Sequence, residues 1–182
     1  MKIQKPKVKP PVSDRVKLLY DKLKKHLFNV SEESLYCRVR QSIQSYKDSV
    51  LEEMVKESIK AEQATWKYNG FIGLFSSNTL VKVAIVAQKN KAVRYVAGVT
   101  DSGQRVIAAF PSCNAHKEVA DKIEGLIKEP IRFVRGGFLE FSGNLSKPKF
   151  LLSGESKFYG EADHKEVAKL LGEAGFEADV LE

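Results

Sequence analysis

Hydrophobic positions in the first third of the chain recur at three- and four-residue steps, which is the period of an α-helix. One stripe follows Ser13, a residue suited to capping a helix N-terminus, and a second begins after Ser31 and extends to about Trp66. The second stripe lacks a strict heptad repeat and therefore favours a helix laid on a core over a coiled coil. The pattern predicts a helical extension over residues 13–66.

From Tyr68 onward the pattern changes to short runs rich in Val, Ile and Phe, separated by turn residues, which predicts β-strands. Helices are expected from about Ala115 to Lys128 and over residues 163–174. The mixture predicts an α+β domain over residues 68–182, with a mixed β-sheet flanked by helices. A doubly wound sheet is excluded because helices do not alternate with single strands and no GxGxxG motif occurs. The predicted strands are 71–75, 80–88, 93–99, 105–110, 133–141 and 149–153.

The pentapeptide His-Lys-Glu-Val-Ala occurs twice, at His116–Ala120 and at His164–Ala168. Each copy follows two predicted strands and begins a predicted helix, so we interpret the domain as two duplicated ββα units. A histidine at a helix start lies beside backbone N–H groups that bind anions, an arrangement that suits phosphate chemistry. The alternative is that each histidine only packs against or caps its helix.

Positive charge is concentrated at the N-terminus. The whole chain has 30 Lys and Arg against 23 Asp and Glu, a net charge of +7, and residues 1–26 account for all of this excess. Residues 1–12 also contain three prolines, which predicts an extended basic arm. Residues 1–26 are expected to attract a polyanion such as RNA, anionic lipid or an acidic protein surface, although a merely solubilising tail has the same composition.

Composition and cysteine spacing restrict the class of protein. With 43% hydrophobic and 29% charged residues and a mean hydropathy of −0.28, the chain is neither mainly disordered nor an integral membrane protein. Cys37 and Cys113 form no CxxC motif, and neither has a histidine nearby in a metal-binding arrangement. We expect no metal, no cofactor, no membrane span, and an intracellular location that is cytoplasmic or mitochondrial.

The C-terminal half resembles the phosphohistidine phosphatase family, also called Janus/Ocnus, over about residues 93–180. The resemblance rests on VRYVAGV, on QRVIAAF leading to His116, on the glycine pair after IRFVR, and on GESKFYGEADH. The last segment matches the family run G-x-S-x-x-Y-G-x-A-x-H in order and spacing. Its matching residues are Gly154, Ser156, Tyr159, Gly160, Ala162 and His164.

This resemblance implies a small phosphatase without metal or cofactor, which removes phosphate from phosphohistidine, and in some members from phospholysine, in a phosphorylated protein. It implies that His116 is the catalytic residue, as a general acid or base or as a transient phosphoryl acceptor. Substrate binding would fall to Arg94, to Lys117 through its amide, and to Ser156 and Lys157.

The chain departs from the family at two cationic positions. Arginines that face phosphate in the family fall on Ala108 and Phe138 here, and each could supply a few kcal/mol of electrostatic stabilisation. Besides an active phosphatase, the sequence therefore leaves open a catalytically retired domain. Such a domain would be a structural subunit of a larger protein or ribonucleoprotein assembly, such as a mitochondrial ribosome, anchored by the basic arm. An independent nucleic-acid-binding module is supported by the arm alone.

Overall fold

The computed structural model describes residues 32–181, with side chains at Gln41 and at residues 44–181. The basic arm and the helix predicted after Ser13 lie outside the described residues. The chain divides between Glu53 and Met54 into two compact units. The described part of the first unit, residues 32–53, belongs to helix α1 (Glu32–Ser58).

The prediction that this helix continues to about Trp66 is wrong. Helix α1 ends at Ser58, and residues 63–68 form strand β1, in which exposed and half-buried side chains alternate. Trp66 belongs to the sheet, because its ring lies against Gly73 of the next strand, and its Nε1 donates to Ser58 Oγ at 2.9 Å. A large side chain that reads as part of a helical stripe is therefore packed on a sheet.

The second unit contains one eight-stranded sheet with the order β1-β2-β3-β5-β4-β6-β7-β8. Two neighbouring pairs, β3 with β5 and β7 with β8, are parallel, and the other neighbours are antiparallel. The α+β class with a mixed sheet flanked by helices is thus confirmed. The strands are β1 (Gln63–Tyr68), β2 (Phe71–Ser77), β3 (Val81–Gln88), β4 (Ala92–Thr100), β5 (Arg105–Ala109), β6 (Ile131–Phe141), β7 (Lys149–Ser153) and β8 (Glu177–Val180).

Two helices follow pairs of strands, as the repeated pentapeptide predicts. Helix α2 (His116–Ile127) comes after β4 and β5, and helix α3 (His164–Glu173) comes after β6 and β7. Strands β1 and β8 were not predicted, because both are short segments at the two ends of the sheet, where the hydrophobic pattern is weak. The common origin of the two strand-strand-helix units remains a prediction.

Helices α2 and α3 lie on opposite faces of the sheet. His116 at the start of α2 lies over Gly136, and His164 at the start of α3 lies over the next residue, Gly137. Adjacent residues of a strand point to opposite faces, so the two histidines approach β6 from opposite sides. On the α3 face, Val167 and Leu171 belong to the main hydrophobic core. None of the helices in residues 32–181 is both long and apolar enough to cross a membrane.

Candidate active site

The glycine pair of β6 makes room for both histidines. A Cβ atom built on Gly136 would lie 2.7 Å from His116 Cδ2 and 2.9 Å from the Tyr95 carbonyl oxygen. A Cβ atom on Gly137 would lie 2.7 Å from His164 Cε1 and 2.8 Å from the Ser153 carbonyl oxygen. Only a residue without a side chain allows such close approach at either position. The glycines therefore place one imidazole against each face of the same strand.

His164 uses both ring nitrogens within the fold. Its Nε2 lies 2.8 Å from the Gly154 carbonyl oxygen, and its Nδ1 lies 2.6 Å from the Tyr95 hydroxyl. A carbonyl oxygen can only accept, so Nε2 carries the proton and the Tyr95 hydroxyl donates to Nδ1. Burial, assisted by the carboxylates of Glu161 and Asp163, raises the pKa of Tyr95 and keeps it a donor. This buried network ties the start of α3 to β4 and leaves His164 no free nitrogen.

His116 uses only one ring nitrogen. Its Nε2 lies 2.9 Å from the Gly137 carbonyl oxygen, to which it donates, so the lone pair is on Nδ1. Nδ1 makes no hydrogen bond within residues 32–181, and in that part of the chain no fully buried side-chain nitrogen is left without a partner. Nδ1 therefore reaches solvent although the residue as a whole is only 7% exposed. The ring is therefore held in place with the Nδ1 lone pair accessible as a base.

The two helix starts also differ in their caps. The Asp163 carboxylate caps α3 by accepting a hydrogen bond from the Glu166 amide at 3.0 Å. Helix α2 has Ala115 at the same position, and no side chain caps it. The first amides of a helix have no partner within the helix, and they carry its positive dipole end. At α2 these amides are left for another acceptor, beside the free nitrogen of His116.

A loop from Gly154 to Ala162 covers the strand next to His116. The Gly136 amide donates to the Gly160 carbonyl, and the Ala162 amide donates to the Gly136 carbonyl, both at 3.2 Å. Ser156 is 1% exposed, and its Oγ accepts from the amides of Phe158 and Tyr159 at 3.3 and 3.1 Å. The structure thus brings Ser156 close to Gly136 and His116, where its hydroxyl also shapes the loop.

Arg94 and Phe138 lie on the same face as His116. They are partners across β4 and β6, with Arg94 Cζ 5.8 Å from the centre of the Phe138 ring. The same ring contacts His116 edge-on, with 5.6 Å between ring centres. Ala108 is fully buried and shares a row across the strands with Val96, the partner of Gly136. Both positions at which the family arginines are missing therefore face the helix that begins at His116.

The side chains of the two candidate lysines, Lys117 and Lys157, are exposed. The Lys117 ammonium forms an exposed ion pair with Asp121 at 3.0 Å. The group of Lys117 that the helix start directs toward an anion is therefore its backbone amide. Lys157 is exposed on the Ser156 loop and makes no ion pair with any described residue. No hydrogen bond or ion pair joins the Lys157 side chain to His116.

Two aromatic residues of the loop, Phe158 and Tyr159, were not predicted as site residues from the sequence. Phe158 is 69% exposed and packs edge-on against Tyr159, with 4.7 Å between ring centres. Burial raises the pKa of Tyr159, the carboxylate of Asp121 raises it further, and the Lys117 charge lowers it. These charges place the phenol near the first turns of α2. Tyr159 belongs to the matching family run, and this was the one sequence signal for it.

Among the side chains that the structure describes, at Gln41 and residues 44–181, no three from His, Cys, Asp and Glu are grouped so that they could hold a metal ion. The described site consists of an imidazole, uncapped helix amides, a serine loop and one arginine. Such groups can bind an anion and transfer a proton.

A comparison with known protein families covers this part of the chain. The model of the Janus/Ocnus family matches residues 79–178, which begins before the predicted range and includes strand β3. The search among curated proteins finds no significant match. The family match covers more than half of the chain and contains both histidines, the glycine pair and the serine loop. The chain therefore belongs to the Janus/Ocnus family.

Proposed function

We propose that the domain beginning near residue 68 is a metal-independent protein phosphatase, acting on phosphohistidine or a related phosphoramidate. The observation that carries this proposal is the difference between two identical pentapeptides. The copy at His164 is closed, because both ring nitrogens and the helix start have internal partners. The copy at His116 leaves one ring nitrogen and the helix amides open at the same point.

These open groups match the demands of phosphoryl transfer. In the proposed reaction, water attacks phosphorus while His116 Nδ1 takes its proton, or Nδ1 itself accepts the phosphoryl group before water removes it. The P–N bond breaks, and its electron pair goes to the nitrogen of the leaving group, which then takes up a proton. The Gly137 carbonyl accepts from Nε2 and thereby stabilises the positive charge that develops on the ring.

Phosphoryl oxygens would be bound by the amides at the start of α2, including that of Lys117, and by the Ser156 loop. Arg94 would neutralise the negative charge of the phosphoryl group, and it makes no ion pair with any residue of the described chain. Ala108 and Phe138 supply no charge. A missing phosphate-facing donor typically lowers kcat by about 100- to 1000-fold, so we expect slow turnover.

Release of phosphate from a phosphohistidine peptide tests the proposal. The purified full chain is compared with His116→Ala and with Lys165→Ala, which removes the exposed lysine that follows His164 as Lys117 follows His116. We expect turnover in the parent chain and in Lys165→Ala, without added metal, and none in His116→Ala. Equal turnover in all three proteins, or none in a folded parent chain, would refute the proposal.

One observation favours a second function, a catalytically retired domain that serves as a structural subunit of a larger assembly. The Phe138 ring contacts both Arg94 and His116, so an apolar group occupies the position of a family cation. In that case residues 1–26 would anchor the protein on RNA or on an acidic partner. Deletion of residues 1–26 would then abolish assembly in cells, whereas it would leave turnover unchanged if the domain is a phosphatase.

A further inference from the structure

A hollow of about 180 Å³ lies next to the candidate active site, between the turn before β4 and the loop before α2. A liquid water molecule occupies about 30 Å³, so the space is large enough for a carboxylate with its hydration. Its lining combines two cationic side chains with two amide side chains and contains no acidic residue. The lining residues are Gln88, Lys91, Ala92, Val93, Arg94, Pro111, Cys113 and Asn114.

Neither cation of this hollow is neutralised by the described chain. Lys91 is exposed and Arg94 is half-buried, and neither forms an ion pair with any residue of the described range. Other cations of the domain do have carboxylate partners, for example Lys149, which pairs with Asp179 at 2.8 Å. The hollow therefore carries two positive charges that lack a counter-charge, and it is complementary to an anion.

The nearest carboxylates do not fill this role. The Glu118 carboxylate accepts a hydrogen bond from the backbone amide of Asn114 at 2.7 Å and is held at the helix start. Glu140 is the register partner of Ala92 on the neighbouring strand, but it forms no ion pair with Arg94. Lys91 itself is held in place by its turn, because its amide donates to the Gln88 carbonyl at 3.2 Å.

Arg94 connects the hollow to His116. Its guanidinium lies over the Phe138 ring, whose edge contact with His116 is described above, and Asn114 precedes His116 by two residues. A peptide whose phosphorylated side chain is at His116 would bring a neighbouring side chain to the hollow, since residues of an extended chain are about 3.3 Å apart.

We infer that this hollow binds an acidic side chain of the substrate protein, located within two residues of the phosphorylated one. The inference rests on the proposed function and adds a substrate class to it: phosphoramidates in acidic sequence context. Lys91 faces the carboxylate and the side-chain amides of Gln88 and Asn114 donate to it, while Arg94 remains assigned to the phosphoryl group. Lys91 is thus a specificity-determining residue.

The test uses two phosphohistidine peptides that differ only in Glu or Gln at the positions two residues on either side of the phosphohistidine. We expect the parent chain to favour the Glu peptide in kcat/KM by about fivefold, as for a partly exposed ion pair. Lys91→Gln should reduce this preference to about one. Lys89→Gln, which changes a lysine of the same turn outside the hollow, should retain it. Retention of the preference in Lys91→Gln, or its loss in Lys89→Gln, would overturn the inference.

Binding of the unphosphorylated peptides separates this inference from the proposed function. Amide NMR shifts at Ala92 and Asn114 should respond to the Glu peptide more strongly than to the Gln peptide, even in a chain without turnover. A Glu preference in binding without turnover refutes only the phosphatase, and turnover without any Glu preference refutes only the hollow. If inorganic phosphate alone produces the same shifts and abolishes the Glu preference, the hollow is a phosphate site and the inference fails.

Discussion

A single methyl group on Gly136 or Gly137 would test whether each histidine depends on its own glycine. At Gly136 the new Cβ would lie 2.7 Å from His116 Cδ2, whereas ordinary contact begins at 3.4 Å, so the ring must move by about 0.7 Å. The Tyr95 carbonyl oxygen, 2.9 Å away, belongs to the central strand β4 and cannot yield easily. Overpacking of this size costs about 1–3 kcal/mol of unfolding free energy.

Gly137→Ala serves as the matched control, because its methyl group would point to the opposite face. It would lie 2.7 Å from His164 Cε1 and 2.8 Å from the Ser153 carbonyl oxygen, so a similar loss of stability is expected. The two variants should differ in which imidazole they displace. Gly136→Ala should shift the ring NMR signals of His116 and lower turnover, and Gly137→Ala should mainly shift those of His164.

The assay combines urea unfolding with ring NMR of the two histidines. If Gly136→Ala unfolds at the same urea concentration as the parent chain and leaves the His116 signals in place, the close approach of the His116 ring to strand β6 is not present. If either variant shifts both histidines equally, the placement of the two rings on opposite faces is refuted.

Three further predictions concern the residues around this pair. Ala115→Asp should supply the missing cap of α2, raise the unfolding free energy by about 1 kcal/mol and lower turnover by occupying the open amides; unchanged turnover would contradict the role of these amides. Tyr95→Phe should cost about 1–3 kcal/mol, because it leaves the buried Nδ1 of His164 without a donor. Since folding raises the pKa of Tyr95 above its ordinary value of 10.0, this stabilisation is complete below pH 10 and is lost at higher pH. Urea unfolding should therefore show a steeper alkaline loss in the parent than in Tyr95→Phe. Phe133→Gly should raise the unfolding free energy by about 1 kcal/mol in the same assay, because Phe133 has a left-handed φ of 52° and is 84% exposed; a loss of stability would show that its ring has a packing role.

The sequence by itself determined most of the strands and both helices of the sheet domain. Between residues 71 and 174, each element was predicted to within about two residues, because alternating or helical burial leaves a local hydrophobic pattern. The family was also visible, because the run from Gly154 to His164 has a fixed order and spacing. Trp66 was assigned to a helix wrongly, because its true partners, Gly73 and Ser58, become neighbours only when the sheet forms.

Only the tertiary structure decided the roles of the two histidines. The five residues from His116 and the five from His164 are identical, so apart from the capping residue before each copy, Ala115 or Asp163, no local property distinguishes the hydrogen bonding of the two rings. The difference comes from groups distant in sequence: the Tyr95 hydroxyl, 69 residues before His164, occupies the Nδ1 of His164, and no equivalent donor reaches the Nδ1 of His116 within the described residues. Hydrogen bonds depend on distance and direction in space, and for these histidines both are set by the packing of strands β4 and β6.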